Sequence, residues 1–188
     1  MWEINGVRGA GDRPPTAGNF SGVGLVVGSA PSVWNDLARA PSGDIMVLNR
    51  MAVLVERPVR HLASLHHDHV EPLAAFRRKL WRLSDGHVHT HSAKGGAGIE
   101  NVWDLEGGCC FSGIFGAVVM LALGYERVIL CGCPQDASGY VWQPGCTDIH
   151  QNRGACIEWG AWAANVFRGR VKSMSGRTRE WLGAPDGV

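Results

Sequence analysis

Val23-Gly24-Leu25-Val26-Val27-Gly28-Ser29-Ala30-Pro31-Ser32 is the segment that most clearly indicates the fold. Residues 23–28 form a short apolar run that ends in glycine, which is typical of a buried β-strand. The residues after it are small or polar, and Ser32 is a candidate N-cap for a helix that begins at Val33. The stretch therefore predicts a strand that passes through a short turn directly into a helix.

The same alternation of strand and helix continues along the chain. Further strands are predicted at residues 44–49, 61–65, 88–91, 127–132 and 170–174. Further helices are predicted at residues 69–82, 112–124, 153–167 and 178–182. This order predicts the α/β class: a single Rossmann-like domain with a mostly parallel sheet flanked by helices. The domain is expected to cover residues 22–188, after a flexible N-terminal arm at residues 1–21 that is rich in glycine and proline.

Two of the predicted helices differ in character. Residues 112–124 are apolar on nearly every side, which indicates a helix packed on both sides, and Gly124 lies where a left-handed C-cap belongs. Residues 69–82 are amphipathic instead. Their candidate inner positions are Val70, Leu73, Ala74, Leu80 and Trp81.

Composition excludes several classes of protein. The chain has 188 residues, a formal net charge of +1, 45% hydrophobic residues and 19% charged residues, which excludes an intrinsically disordered chain. The longest apolar run, at residues 114–123, is far shorter than the roughly 20 residues of a membrane span. Without a signal-like N-terminus or a C-x-x-C pair among its six cysteines, the chain is expected to be cytoplasmic, with reduced thiols and no membrane partner.

Small, polar or titratable residues follow the predicted strands, and a parallel sheet binds ligands at the carboxyl ends of its strands. These ends are Gly28, Ser29, Ala30, Pro31 and Ser32; Asn49 and Arg50; His66, His67 and Asp68; and Gly132 through Asp136. Ser32 and the Ser112-Gly113 pair each open a helix, whose free N–H groups favour an anion such as a phosphate. The alternative interpretation is that both serines are only N-caps. Neither a G-x-G-x-x-G nor a Walker motif is present.

These segments form an ordered pattern: the turn at residues 26–32, Val47-Leu48-Asn49-Arg50, the helix from Ser112-Gly113 to Gly124-Tyr125, and Val128-Ile129-Leu130-Cys131-Gly132. The pattern resembles the bacterial sialyltransferases that use CMP-sialic acid. It is also similar to a wider group of phage-borne and uncharacterised proteins related to archaeal pterin pyrophosphokinases, which share the G-x-x-P-S turn. The resemblance covers roughly residues 22–175 and implies a nucleotide-sugar site that needs no metal.

The resemblance also implies roles for single residues. Residues 28–32 would cradle the nucleotide, Asn49 and His66 would contact it, and Ser112 and Gly113 would face its phosphate. Tyr140 would support the leaving phosphate, and His150 would be the catalytic base. The sequence departs from the family at Ser29-Ala30, at Cys109 and at Cys133-Pro134.

Histidines offer a second kind of site. His87, His89 and His91 alternate, so a strand would place them on one face, where they are either metal ligands or solvated side chains of an edge strand. The second interpretation is favoured, and no metal is predicted. Trp142, close to Tyr140, is a candidate for stacking a sugar or base.

Two groups of basic residues are either solvated faces of helices or, taken together, a surface for a polyanionic acceptor such as DNA. They are Arg77, Arg78, Lys79 and Arg82, and Arg153, Arg168, Arg170, Lys172, Arg177 and Arg179.

Three functions follow from the sequence. The first is a small inverting glycosyltransferase that moves a sugar from a nucleotide-sugar to a glycan or DNA-base acceptor, with no cofactor. In it, His150 deprotonates the acceptor while Tyr140 and the helix start at Ser112 hold the leaving phosphate. The second is a Mg²⁺-dependent nucleotide or pyrophosphate-transfer enzyme with Asp136 as a metal ligand. The third is a nucleotide-binding module without catalysis.

Overall fold

A computed structural model describes residues 2–4, 7–9, 20–81, 87–91, 101–105, 111–146 and 167–187. The strands in these ranges are β1 (Trp2–Ile4), β2 (Val7–Gly9), β3 (Val23–Val27), β4 (Asp44–Leu48), β5 (His61–Ser64), β6 (His87–His91), β7 (Asn101–Trp103), β8 (Arg127–Cys131), β9 (Gly139–Tyr140), β10 (Gln143–Pro144) and β11 (Val171–Ser173). The helices are α1 (Val33–Arg39), α2 (Met51–Leu54), α3 (His67–Trp81), α4 (Ser112–Ala122) and α5 (Gly176–Leu182).

Seven of the described strands form one sheet in the order β11-β8-β3-β4-β5-β6-β7, and every neighbouring pair is parallel. The helices α1, α2 and α3 pack on one face of this sheet, and α4 packs on the other. This confirms the predicted Rossmann-like α/β domain. From β3 the chain first builds outward through β4 to β7 and then returns to the other side of β3 with β8. The reversal creates a crevice at the carboxyl ends of β3, β4 and β8, where such sheets bind ligands.

Helix α4 forms the centre of one core layer. Every residue from Gly113 to Ala122 is buried, as the uniformly apolar sequence predicts. The helix ends in a Schellman motif, because the N–H of Gly124 donates to Leu121 O and the N–H of Tyr125 donates to Met120 O. Gly124 has φ +108°, which confirms the predicted glycine C-cap.

Helix α3 confirms some of the predicted inner positions and contradicts another. Val70 and Ala74 are buried, whereas Leu80 is 47% exposed. Arg77 takes an inner position instead, and its guanidinium donates to the backbone carbonyls of Ala52, Val55 and Arg57. The Arg77 side chain therefore provides hydrogen bonds to carbonyls at and just after the end of α2. It cannot contribute to the basic surface that was predicted to bind a polyanionic acceptor.

Two features near the β7 end of the sheet are not predicted by the sequence. Strands β1 and β2 form an antiparallel hairpin inside the predicted arm, and Val7 is buried against the core of α4. Strand β7 pairs with β6, so β6 is not the edge strand that the sequence suggested. The predicted helix at residues 153–167 lies almost entirely outside the described residues. Within the described ranges, no helix is long and apolar enough to cross a membrane.

Candidate functional site

A cleft of about 290 Å³ opens at the carboxyl ends of β3, β4, β5 and β8. It is lined by Gly28, Ser29, Ala30, Leu48, Asn49, Leu65, His66, Phe111, Ser112, Gly113, Gly132, Cys133, Pro134, Gln135, Asp136, Ser138, Gly139 and Tyr140. The sheet brings these residues together because parallel strands all end at the same edge. The lining combines polar side chains such as those of Asn49 and Ser112 with the apolar side chains of Leu48 and Phe111.

Most of the predicted site residues line this one cleft. They are Gly28, Ser29, Ala30, Asn49, His66, Ser112, Gly113, Gly132, Asp136 and Tyr140. Pro31, Ser32 and Arg50 are not among the lining residues, although Arg50 lies next to Asn49 in sequence. His150 lies outside the described residues, so its predicted catalytic role stays a prediction.

Asn49 connects the end of β4 to the start of α4. Its Nδ2 donates to Ser112 Oγ at 3.1 Å, and its Oδ1 accepts a hydrogen bond of 2.7 Å from Ser64 Oγ. Asn49 has φ +50°, a left-handed conformation that asparagine tolerates better than most residues and that is common at functional sites. Because Ser112 Oγ accepts from Asn49, the hydrogen of the Ser112 hydroxyl is directed away from that amide and is available to a ligand.

The N-terminus of α4 faces the cleft without a side-chain cap. Phe111, in extended conformation, occupies the N-cap position, so the interpretation of Ser112 as an N-cap is wrong. The first N–H of the helix with an intrahelical acceptor is that of Phe115, which donates to Phe111 O at 3.2 Å. The N–H groups of Ser112, Gly113 and Ile114 precede it. They and the helix dipole make this end of the cleft favourable for an anion.

The turn after β3 is joined to the end of β8. The N–H of Gly28 donates to Cys131 O at 2.8 Å, and that of Ala30 donates to Gly132 O at 3.0 Å. A Cβ on Gly28 would lie 2.5 Å from Gly132 O and 2.4 Å from Cys133 Sγ. Glycine is therefore required here by the close approach of two strand ends. Both amides are bonded within the protein, so these two N–H groups are not donors to a ligand. The predicted contact of residues 28–32 with a nucleotide stays a prediction.

Ser32 serves the framework behind the cleft. It makes no side-chain cap to α1; its hydroxyl donates to Asp36 Oδ2 at 3.0 Å. The same buried oxygen accepts from Ser175 Oγ at 2.7 Å and from the N–H of Gly132 at 2.8 Å. Asp36 thus holds α1, the end of β8 and the segment before α5 in a fixed arrangement. The sequence signal for this role is the place of Asp36, four residues after Ser32.

The hairpin of β9 and β10 forms one rim of the cleft. The N–H of Val141 donates to Ser29 O at 2.7 Å, which attaches the hairpin to the turn after β3. Tyr140 and Trp142 stack with ring centroids 4.8 Å apart and planes inclined by 12°. The guanidinium carbon of Arg50 lies 5.8 Å from the Trp142 ring centroid, so the predicted site residue Arg50 lies beside this hairpin, although neither residue is among those that line the cleft.

The titratable groups in the cleft are few. Burial raises the pKa of the Cys133 thiol to about 12, so Cys133 is not a nucleophile at neutral pH. Asp136 lines the cleft, and its Oδ1 accepts from the N–H of Ser138 at 2.9 Å. Ser138 Oγ is buried and has no hydrogen-bond partner among the described residues. The described residues contain no group of three side chains able to hold a metal ion.

The histidines of β5 and β6 form a buried network on the α4 side of the sheet. Trp103 Nε1 can only donate, so His89 Nδ1 accepts its hydrogen bond at 3.0 Å. His89 Nε2 then donates to His61 Nδ1, and His61 Nε2 donates to the Tyr125 hydroxyl, at 3.1 and 3.0 Å. The hydroxyl donates to Asp44 Oδ2 at 2.7 Å. This direction of donation keeps both rings neutral.

The network corrects the prediction of solvated histidines for β6. His89 is fully buried, and burial lowers its pKa well below the ordinary value. Burial and the neighbouring His87 likewise lower the pKa of His61 to about 3. The side chain of His91 lies outside the described residues. His61 and His89 are therefore structural members of the core, away from the cleft.

Comparisons with models of protein families, with curated proteins and with solved structures found no match to this chain. The assignment of function therefore depends on the geometry of the cleft.

Proposed function

We propose that this protein is a glycosyltransferase that takes its sugar from a nucleotide-sugar donor. The observation that carries the proposal is the position of the uncapped N-terminus of α4, with Ser112 beside it, inside a cleft at the reversal point of a parallel sheet. Helix N–H groups and a hydroxyl donor favour the phosphate of a nucleotide. The resemblance to nucleotide-sugar enzymes stated above agrees with this choice.

The reaction would place developing negative charge where the cleft is most favourable to it. The oxygen of an acceptor hydroxyl attacks the anomeric carbon of the sugar, and the bond from that carbon to the phosphate oxygen breaks. The nucleotide leaves with the electron pair, and the helix end, Ser112 and the Tyr140 hydroxyl stabilise its charge. A histidine accepts the acceptor's proton: His66 lines the cleft, and His150 is the candidate from the resemblance.

The first test is a binding screen. Thermal unfolding is measured with CMP, UDP, GDP, ADP and their sugar conjugates, because a ligand that binds only the folded state raises the midpoint. A rise with one nucleotide and its sugar conjugate supports the proposal. The same screen with Ser112→Ala is expected to give a smaller rise. Ser42→Ala, which changes an exposed serine just before the amino end of β4, keeps the wild-type response. No rise with any nucleotide overturns the proposal.

The second test is turnover. Release of free nucleotide from the identified donor is followed with candidate glycan and DNA acceptors. Transfer that persists in EDTA supports the glycosyltransferase. Nucleotide binding without release of product favours the module without catalysis.

A Mg²⁺-dependent phosphate-transfer enzyme is the second candidate, and the observation that favours it is the Asp136 carboxylate in the cleft. This enzyme would lose its activity in EDTA and regain it with added Mg²⁺. It would also lose activity in Asp136→Asn. The glycosyltransferase would keep its activity in EDTA, so the two candidates give opposite results.

A further inference from the structure

An exposed tryptophan ring lies in the β9–β10 hairpin, next to the cleft. Trp142 is 39% exposed, although tryptophan is usually largely buried. One face of its ring is covered by Tyr140, which itself lines the cleft. Large exposed aromatic rings beside a cleft commonly provide stacking surfaces for ligands. Packing within the hairpin therefore does not account for the exposure of the other face of the Trp142 ring.

The position of this ring is well defined by backbone hydrogen bonds. Val141, between the two aromatic residues, donates its N–H to Ser29 O at 2.7 Å. Gly145 closes the hairpin by donating to Ser138 O at 2.8 Å. The stack with Tyr140 then orients the indole plane. A surface arranged in advance in this way loses little conformational entropy when a ligand binds.

Arg50 lies opposite the open face of Trp142. Since Tyr140 covers one face, the guanidinium of Arg50 approaches the other, with its central carbon 5.8 Å from the ring centroid. A planar ring inserted between two stacking groups needs about 7 Å, two contacts of about 3.5 Å each. Arg50 is exposed, so its side chain is free to move by the remaining distance of about 1 Å.

We propose that Trp142 and Arg50 form a clamp for the planar base of a nucleotide whose phosphate lies at the N-terminus of α4. This inference rests on the proposed function and extends it, because it assigns the base to the rim and the phosphate to the floor of the cleft. The guanidinium adds a cation–π contact to the stack. Stacking uses the π-face that every base has. We therefore expect the clamp to bind different bases with similar affinity.

The experiment compares ligands that differ only in having a base. Dissociation constants for CMP, AMP and ribose 5-phosphate are measured by isothermal titration calorimetry with the full chain. The wild type is expected to bind both nucleotides about 5- to 150-fold more tightly than ribose 5-phosphate, the range that corresponds to one stacked base. CMP and AMP are expected to differ from each other by less than either differs from ribose 5-phosphate.

Two tryptophan variants test the position of the clamp. Trp142→Ala is expected to remove the advantage of the nucleotides and to leave the affinity for ribose 5-phosphate unchanged. Trp34→Ala is the matched control, because Trp34 is similarly exposed, at 45%, on α1. It should keep the wild-type affinities for all three ligands. Circular dichroism establishes that both variants are folded.

The outcomes separate this inference from the proposed function. If ribose 5-phosphate binds and the base adds no affinity, the clamp is wrong and the phosphate site stands. If the base adds affinity that Trp142→Ala leaves intact, the base lies elsewhere and the clamp is equally wrong. If none of the three ligands binds, both the clamp and the proposed function are overturned.

Discussion

The side-chain amide of Asn49 donates to Ser112 Oγ across 3.1 Å and thereby connects the carboxyl end of β4 to the first residue of α4. The two residues are 63 positions apart in the sequence. Ser64 orients the amide by donating to its oxygen, so the nitrogen must face Ser112. This hydrogen bond from Asn49 therefore determines the direction in which the Ser112 hydroxyl can donate.

Asn49→Asp should weaken phosphate binding. The change puts an acceptor oxygen and a negative charge in place of the donor, so Ser112 donates to the new carboxylate and the ligand loses that hydrogen bond. Because hydrogen bonds to charged groups contribute about 1.5–3 kcal/mol, the dissociation constant for CMP should rise at least about 10-fold. Titration calorimetry measures it. Asn35→Asp, on the exposed side of α1, adds the same charge and should bind CMP as the wild type does.

Gly28→Ala should destabilise the fold itself. Its Cβ would meet the backbone oxygen of Gly132 at 2.5 Å, and overpacking against backbone typically costs about 1–3 kcal/mol. Gly24→Ala is the control, because the closest atom there is the flexible Cε of Met120, also at 2.5 Å. Urea denaturation should give a larger loss of unfolding free energy for Gly28→Ala. Equal losses would contradict the role assigned to the contact between the strand ends.

Stability should fall as the pH is lowered from 6.5 toward 3. His61 and His89 have lowered pKa values in the folded protein, so the unfolded chain binds protons at its ordinary pKa of 6.5 while the folded protein does not. The stabilisation is complete above pH 6.5. Below pH 6.5, each of the two histidines lowers the free energy of unfolding by up to about 1.4 kcal/mol for each pH unit. Urea denaturation at pH 7.5 and pH 5.5 measures the difference.

Variants identify the histidines responsible for this pH dependence. His89→Gln should be less stable at pH 7.5, because Trp103 and His61 lose a well-placed partner, but its stability should vary less with pH. His69→Gln removes an exposed histidine of α3 and should keep the wild-type pH dependence. A pH dependence that is identical in all three proteins would show that the buried network is not its source.

Native alkylation should distinguish the described cysteines. Burial raises the pKa of Cys131 above its ordinary value and that of Cys133 to about 12, so at pH 8 both are neutral thiols as well as being inaccessible. Cys146 is partly exposed. Brief treatment with iodoacetamide followed by peptide mass spectrometry should show modification at Cys146 and little at the other two. Rapid labelling of Cys133 would mean that the cleft opens further than the structure indicates.

The order of strands and helices was predictable because each signal is local. Parallel strands buried on both faces appear as continuous apolar runs, and β3, β4, β5 and β8 all begin at the residues predicted for them or within one residue. The edge of the sheet that binds ligands follows from the same order, so Asn49, Ser112 and Gly132 were placed in one cleft correctly. Strand β7 was missed because residues 101–103 are too few to show a period.

Local sequence signals are therefore sufficient for the alternation of elements, the apolar character of α4 and the edge at which the cleft opens. The pairing of polar groups depends instead on the folded chain as a whole. His89 was predicted to be solvated and is buried between Trp103 and His61, and Asp36 accepts from Ser175, 139 positions away. The physical reason is that periodicity reports the environment along one element, whereas a hydrogen bond between distant residues depends on how the chain folds back on itself.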